Sequence, residues 1–282
     1  MITYGINTFL WSSPFSTKDL AYFDKAKALG FDLLEIPIEA EGDLDYAKAA
    51  EAYERTGLKS SICAVMGAGR DPSHPDADIQ KGAIRYMKHC IDAAAMVKSR
   101  SVVGPLYSAV GRTWQATASE RKADLERCAK NLRVIAKYAE DKGILLALEP
   151  LNRFETSFIN LTEQAIELAD LIGSPNVKLM MDTFHANIEE KSLGKAIELA
   201  GKRMIHIHAN ENDRGTPGTG HLPWADLAAA LKKIKYDGPL VIESFSTSVK
   251  EIARAAAVWR PLAPSSDGLA TEGLAFLKKL MA

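Results

Sequence analysis

Short β-rich runs alternate with longer amphipathic stretches eight times along the 282 residues. No other feature constrains the fold as tightly, because strand–helix alternation of this length leads to a parallel sheet. The strand-like runs are Ile2–Asn7, Phe31–Ile36, Leu58–Val65, Ser101–Leu106, Ile144–Glu149, Val177–Asp182, Arg203–His208 and Pro239–Ser244. Between them, helical spacing predicts helices over Thr17–Leu29, Leu44–Thr56, Asp78–Val97, Ser119–Asp141, Leu161–Leu171, Ser192–Ala200 and Trp224–Ile234. A further helix is expected near Thr247–Trp259 after the last strand. Glycines at 30, 57, 143 and 173 stand where helices should stop, the usual C-terminal cap signal. Eight such units close into a (β/α)8 TIM barrel, which needs about 250 residues, so residues 1–282 are read as one α/β domain. The tail Gly268–Ala282 reads as an extra C-terminal helix. A doubly wound sheet is the competing architecture, but neither G-x-G-x-x-G after an early strand nor G-x-x-x-x-G-K-[ST] is present.

Barrel enzymes draw their reactive groups from the C-terminal ends of strands. Here the last four strands end at Glu149, Asp182, His208 and Glu243. Side chains alternate in and out along a strand. Counting back places Ala147, Met180, His206 and Val241 on the inward face with them. Three carboxylates and one imidazole make a mixed O/N donor set that suits Mn²⁺, Mg²⁺ or Co²⁺ better than a thiolate-rich zinc site does. A single acid at a strand end could equally cap the next helix, but four in succession point to one metal centre. Glu155, His185 and Arg214 follow on the adjoining loops and form a second polar set able to hold substrate hydroxyls.

Other features narrow the class. A net charge of -1 offers no basic face for nucleic acid. No apolar run approaches the roughly 20 residues that span a bilayer. The N-terminus lacks the charged and apolar regions of a signal peptide, so a cytoplasmic protein is expected. Three cysteines, an odd count, argue against a disulfide framework, and Cys90 and Cys128 are read as buried thiols. Cys63 is read as a pocket wall and His206 as a buried histidine beneath His208.

The runs Leu151–Glu155, Asp182–Glu190 and His208–Gly220, with Glu243-Ser244-Phe245 and Val258–Arg260, resemble the ketose 3-epimerases. That family comprises D-tagatose, D-allulose (psicose) and L-ribulose 3-epimerases within the sugar isomerase/epimerase TIM-barrel superfamily. The resemblance covers nearly the whole chain. It implies an isomerase that binds one divalent metal per chain, Mn²⁺ first with Co²⁺ or Mg²⁺ as alternatives, on Glu149, Asp182, His208 and Glu243. It also implies substrate contacts from Glu155, His185 and Arg214, and a homodimer or homotetramer. The chain departs from the family at Asn7, where an aromatic residue is usual, at Ala209-Asn210, and near Val110, where some members carry tryptophan.

Inverting C3 of a ketose requires removing a proton beside the C2 carbonyl and returning it on the other face. Glu149 and Glu243, on strands five and eight, are read both as ligands and as this acid–base pair, acting through an enediolate. The runner-up is an aldose–ketose or hydroxypyruvate isomerase of the same superfamily. A sugar phosphate would call on the Gly215–Gly220 loop, where many barrels bind phosphate. An abasic-site endonuclease would need a richer His/Asp cluster than six histidines supply.

Overall fold

The computed structural model describes residues 2–282. Its centre is a closed barrel of eight parallel strands in sequence order. They are β1 (Thr3–Asn7), β2 (Leu33–Ile38), β3 (Lys59–Ala64), β4 (Ser101–Gly104), β5 (Leu145–Leu148), β6 (Val177–Asp182), β7 (Met204–His208) and β8 (Pro239–Ile242). β1 closes on β8, with Ile6 opposite Ile242. The helices are α1 (Ala21–Ala28), α2 (Tyr46–Thr56), α3 (Ala77–Met96), α4 (Ala118–Asp141), α5 (Thr162–Ile172), α6 (Thr183–Glu189), α7 (Leu193–Ala200), α8 (Trp224–Lys233), α9 (Lys250–Ala255) and α10 (Ser266–Met281). Every strand expected from the sequence is present, within two residues at each end.

Three differences concern helices. The first helical stretch breaks into a 3₁₀ turn at Thr17–Asp19, capped by Ser16 and Asp19, before α1 begins. A short helix, α6, follows β6 directly; the pattern did not reveal it because seven residues are too few to show a period. The helix expected over Thr247–Trp259 narrows to α9. Beyond it Ala257 takes a positive φ of 53°, which ends the helix, and Val258 turns in to pack with Phe9 and Phe245. The C-terminal α10 then supplies the outer layer there, lying against β1, β8 and α8 with Leu269, Leu274 and Leu277 buried.

Two apolar layers hold the barrel. The larger lies between strands and helices and includes Ile6, Leu34, Ile62, Val102 and Leu146. The smaller fills the barrel itself with Cys63, Val103, Ala147 and Met180, which places Ala147 and Met180 inward, as alternation requires. Gly104 closes β4 at a φ of +128°, and an added Cβ would lie 2.8 Å from the Ala64 carbonyl oxygen. Only glycine fits that close approach of two strands. Gly57 and Gly173 end α2 and α5 in the left-handed conformation the sequence predicts. No described helix is long and apolar enough to cross a membrane. All three cysteines are free and buried.

Candidate active site

The four strand-end residues converge on one point. His208 Nδ1 lies 3.4 Å from Glu243 Oε2, 3.9 Å from Glu149 Oε1 and 4.0 Å from Asp182 Oδ2. His208 and Asp182 are almost inaccessible, and Glu149 and Glu243 nearly so. His208 Nδ1 has no hydrogen-bond partner. A buried ring nitrogen left bare among three carboxylates is costly unless something else meets it. Asp182, His208 and Glu243 form one trio compact enough for a metal ion, and Glu149, Asp182 and His185 form an overlapping one. An N/O donor set of this kind fits a divalent cation.

Asp182 also caps α6, and it does so with its other oxygen. Oδ1 accepts from the Phe184 N–H at 2.8 Å and from Asn210 Nδ2 at 2.9 Å, while Oδ2 faces the site. The capping and metal readings of this acid are therefore both available at once. Asn210 links three strand ends: its Nδ2 donates to Asp182 and its Oδ1 accepts the Glu243 N–H at 2.8 Å. Its own N–H donates to Thr183 Oγ1 at 2.7 Å.

Arg214 comes from the loop after β7, in a left-handed conformation with φ 65°. Its Nη1 donates to Asp182 Oδ2 at 2.7 Å and to Glu243 Oε2 at 2.8 Å. Phe184 and Phe245 flank the guanidinium at 4.3 and 4.9 Å. Burial alone would raise the Asp182 pKa, yet Arg214 and the neighbouring histidines overcome it and hold the carboxyl at about 2. Glu149 goes the other way: burial, helped by Asp182 and Glu243, lifts it well above the usual carboxylate range despite His208. Burial likewise opposes charge on His208, but Glu243 and Glu35 outweigh it and raise its pKa.

His185 sits beside this group, with Nε2 at 4.0 Å from Glu149 Oε1 and 3.8 Å from Asp182 Oδ2. Burial lowers its pKa against the pull of Asp182, so the ring is neutral near pH 7. Its Nδ1 is 3.2 Å from the Asn152 N–H, which can only donate. Arg214 Nη2, which likewise can only donate, stands 3.0 Å from Nε2. Glu155 stands 3.9 Å from His185 Nδ1 and connects to it through Asn152, whose Nδ2 reaches Glu155 Oε1 at 3.0 Å and His185 Nδ1 at 2.8 Å. All seven residues singled out from the sequence thus lie at the C-terminal mouth of the barrel.

Four residues at the site were not singled out as functional. Glu35, on β2, is wholly buried, and its Oε1 lies 2.7 Å from His208 Nε2. Asn7, noted only as a departure, donates to Glu35 at 2.9 Å and to Glu243 at 3.4 Å. Asn152 and Glu211 complete the set. Glu211 accepts from the Gly218 and Leu222 N–H groups and from Trp224 Nε1, at 2.8, 3.0 and 2.9 Å. One of those donors, the Gly218 N–H, belongs to the Gly215–Gly220 loop. An inward acid in the middle of an apolar strand, as in Leu33–Ile38, was the one available signal for Glu35.

A cavity of about 490 Å³ opens at the opposite mouth, among residues that begin strands, such as Thr3, Lys59 and Pro239. It meets the site only from below, through His206 and Ser61.

Comparison with known proteins shows the family and the fold. Residues 23–280 match the family described as xylose isomerase-like TIM barrel. A protein of Synechocystis sp. named probable ketose 3-epimerase is 32% identical over 278 residues, 99% of this chain and 96% of its own. A D-psicose 3-epimerase of Enterocloster bolteae is 34% identical over 93% of this chain and 88% of its own. A solved L-ribulose 3-epimerase superposes with a TM-score of 0.94 at 30% identity, covering 100% of this chain and 95% of that one. A D-allulose 3-epimerase from Methylomonas sp., solved in complex with D-allulose, superposes at 0.91 and 30% identity, covering 99% and 96%.

Proposed function

We propose that this chain, which belongs to the ketose 3-epimerases among the xylose isomerase-like TIM barrels, inverts C3 of a free ketose of the D-tagatose, D-fructose/D-allulose or L-ribulose type. It is an isomerase of the epimerase kind. The observation that carries the reading is the bare His208 Nδ1 facing the carboxylates of Glu149, Asp182 and Glu243. Those four residues would hold one divalent cation, Mn²⁺ in the first instance and Co²⁺ or Mg²⁺ otherwise. When bound, such an ion supplies Lewis-acid polarisation of the C2 carbonyl, worth several kcal/mol.

The chain's own groups account for the rest. Glu149 and Glu243 come from β5 and β8 and flank His208 from different sides. One carboxylate takes the C3 proton, leaving the enediolate, and the other returns a proton to the opposite face. Positioned proton transfer of this sort contributes about 10²- to 10⁴-fold. His185, held between Asn152 at Nδ1 and Arg214 at Nε2, is placed beside the carboxylates to contact a substrate oxygen. Arg214 supplies a buried cation beside it and offsets the negative charge that develops. Glu155, more exposed than the others and oriented by Asn152, accepts from a sugar hydroxyl.

The reading extends to residues 1–282 as a single domain and to the cytoplasm, as expected from the sequence, and to a homodimer or homotetramer, as the family resemblance implies. The test is incubation of Mn²⁺-loaded protein with D-fructose, D-tagatose and L-ribulose in D₂O. C3 epimers carrying deuterium at C3 support the epimerase. Aldose products with deuterium at C1 or C2 would replace it with an aldose–ketose isomerase.

A further inference from the structure

Glu35 is a buried acid with no part in the reaction described above. It lies on β2, across the barrel from β7, and is 0% exposed. Isolated charge at such a site is strongly disfavoured, yet this carboxylate is surrounded by donors. Asn7 Nδ2 donates to Oε1 at 2.9 Å and Ser61 Oγ to Oε2 at 2.7 Å. His208 Nε2 lies 2.7 Å from Oε1. His206 Nε2 comes within 3.0 Å of Oε2 without the alignment of a hydrogen bond. Three strands, β1, β3 and β7, thus send groups to one acid.

The two nitrogens of His208 have different surroundings. Nε2 is spoken for by Glu35, and Nδ1 is bare and aimed at Glu149, Asp182 and Glu243. A carboxylate at one ring nitrogen obliges that nitrogen to carry the proton. In the neutral ring that a metal ion requires, the lone pair is then on the other nitrogen, and the ring cannot turn without breaking the bond. Since the remaining Glu35 oxygen is held by Ser61, the acid itself is not free to rotate away.

We propose that Glu35 is the positioning residue of the metal centre: it fixes His208 so that Nδ1 presents its lone pair to the cation held by Glu149, Asp182 and Glu243. The inference rests on the metal reading above. It assigns Glu35 no contact with metal or substrate, so its removal acts on cation affinity before it acts on chemistry.

The test is Mn²⁺ binding by calorimetry to the full-length protein as wild type, Glu35→Gln, Glu35→Leu and Ser61→Ala. Wild type should bind one ion. Glu35→Gln should bind about 10- to 100-fold more weakly. Glu35→Leu should be weaker still. Ser61→Ala, which touches Glu35 but not His208, should bind less weakly than either. If Glu35→Leu does not fold, Glu35→Gln alone decides. Affinity equal to wild type in Glu35→Gln overturns the proposal. Two ions in wild type and one in Glu35→Gln overturn it differently, by making Glu35, His206 and His208 a second metal site. No Mn²⁺ bound by wild type would defeat the metal reading itself, an outcome distinct from either.

Discussion

Arg214 Nη1 lies 2.7 Å from Asp182 Oδ2, and the same nitrogen is 2.8 Å from Glu243 Oε2. One guanidinium nitrogen therefore spans two of the four candidate metal ligands, with all three side chains buried. In the absence of a metal ion Arg214, together with His208, offsets the charge of these acids. With a divalent ion in place it shares them.

This sharing makes the cost of losing Arg214 depend on the ion. Removing one partner of a buried ion pair typically costs about 3–5 kcal/mol. Arg214→Met should show a loss of that order when melted in chelator, and a clearly smaller loss in excess Mn²⁺. Calorimetric melting in both conditions is the measurement; equal losses in the two would contradict the shared-site account. Turnover with Mn²⁺ should fall as well, since the proposed substrate contact is gone.

Asp182 divides its duties between its oxygens, so they can be separated. Asp182→Asn keeps an acceptor for the Phe184 N–H, and asparagine and aspartate are nearly equivalent as helix N-caps. The variant should fold, with α6 intact, but bind Mn²⁺ at least about 10-fold more weakly, as loss of a charged ligand requires. Circular dichroism with metal titration checks this. Unchanged affinity would remove Asp182 from the ligand set.

The acid–base assignment predicts that Glu149→Gln and Glu243→Gln each lower turnover by about 10²- to 10⁴-fold. The assay is epimer formation under conditions where metal occupancy is confirmed independently. Near wild-type turnover by either loaded variant would end the two-base scheme.

Glu211 offers a prediction in pH. Burial opposes its charge, but Trp224 Nε1 and the Leu222, Asn212 and Gly218 N–H groups outweigh this and lower its pKa. A carboxyl depressed in the folded state contributes stability above its unfolded pKa, about 4.3. That contribution is lost as pH falls through the folded pKa. Glu211→Gln should therefore destabilise by about 1–3 kcal/mol at pH 7 and by less in acid. Urea melts at pH 7 and pH 3.5 give the comparison. Equal losses at the two would show that the charge does not act through these donors.

Periodicity along the chain was enough to locate eight strands within two residues and to put Glu149, Asp182, His208 and Glu243 at the ends of the last four. Those are local signals: alternation with period two, a glycine that stops a helix, an acid at the end of an apolar run. The α6 turn escaped because it is too short to carry a period, and α9 is short because Ala257 takes a positive φ and Val258 packs instead with Phe9, just beyond β1, and Phe245.

What joins the site was not local. Glu35 and His208 are 173 residues apart and meet at 2.7 Å because the barrel closes on itself, bringing inward side chains of β2 and β7 face to face. Asn7 reaches Glu243 across 236 residues for the same reason, at the seam of β1 and β8. Sequence alone set the succession of strands along the chain, the inward face and the chemical character of the donors, since each depends on neighbouring residues. Tertiary structure alone decided which donors touch, which His208 nitrogen stays bare and where Arg214 rests, because those follow from strand stagger around a closed barrel.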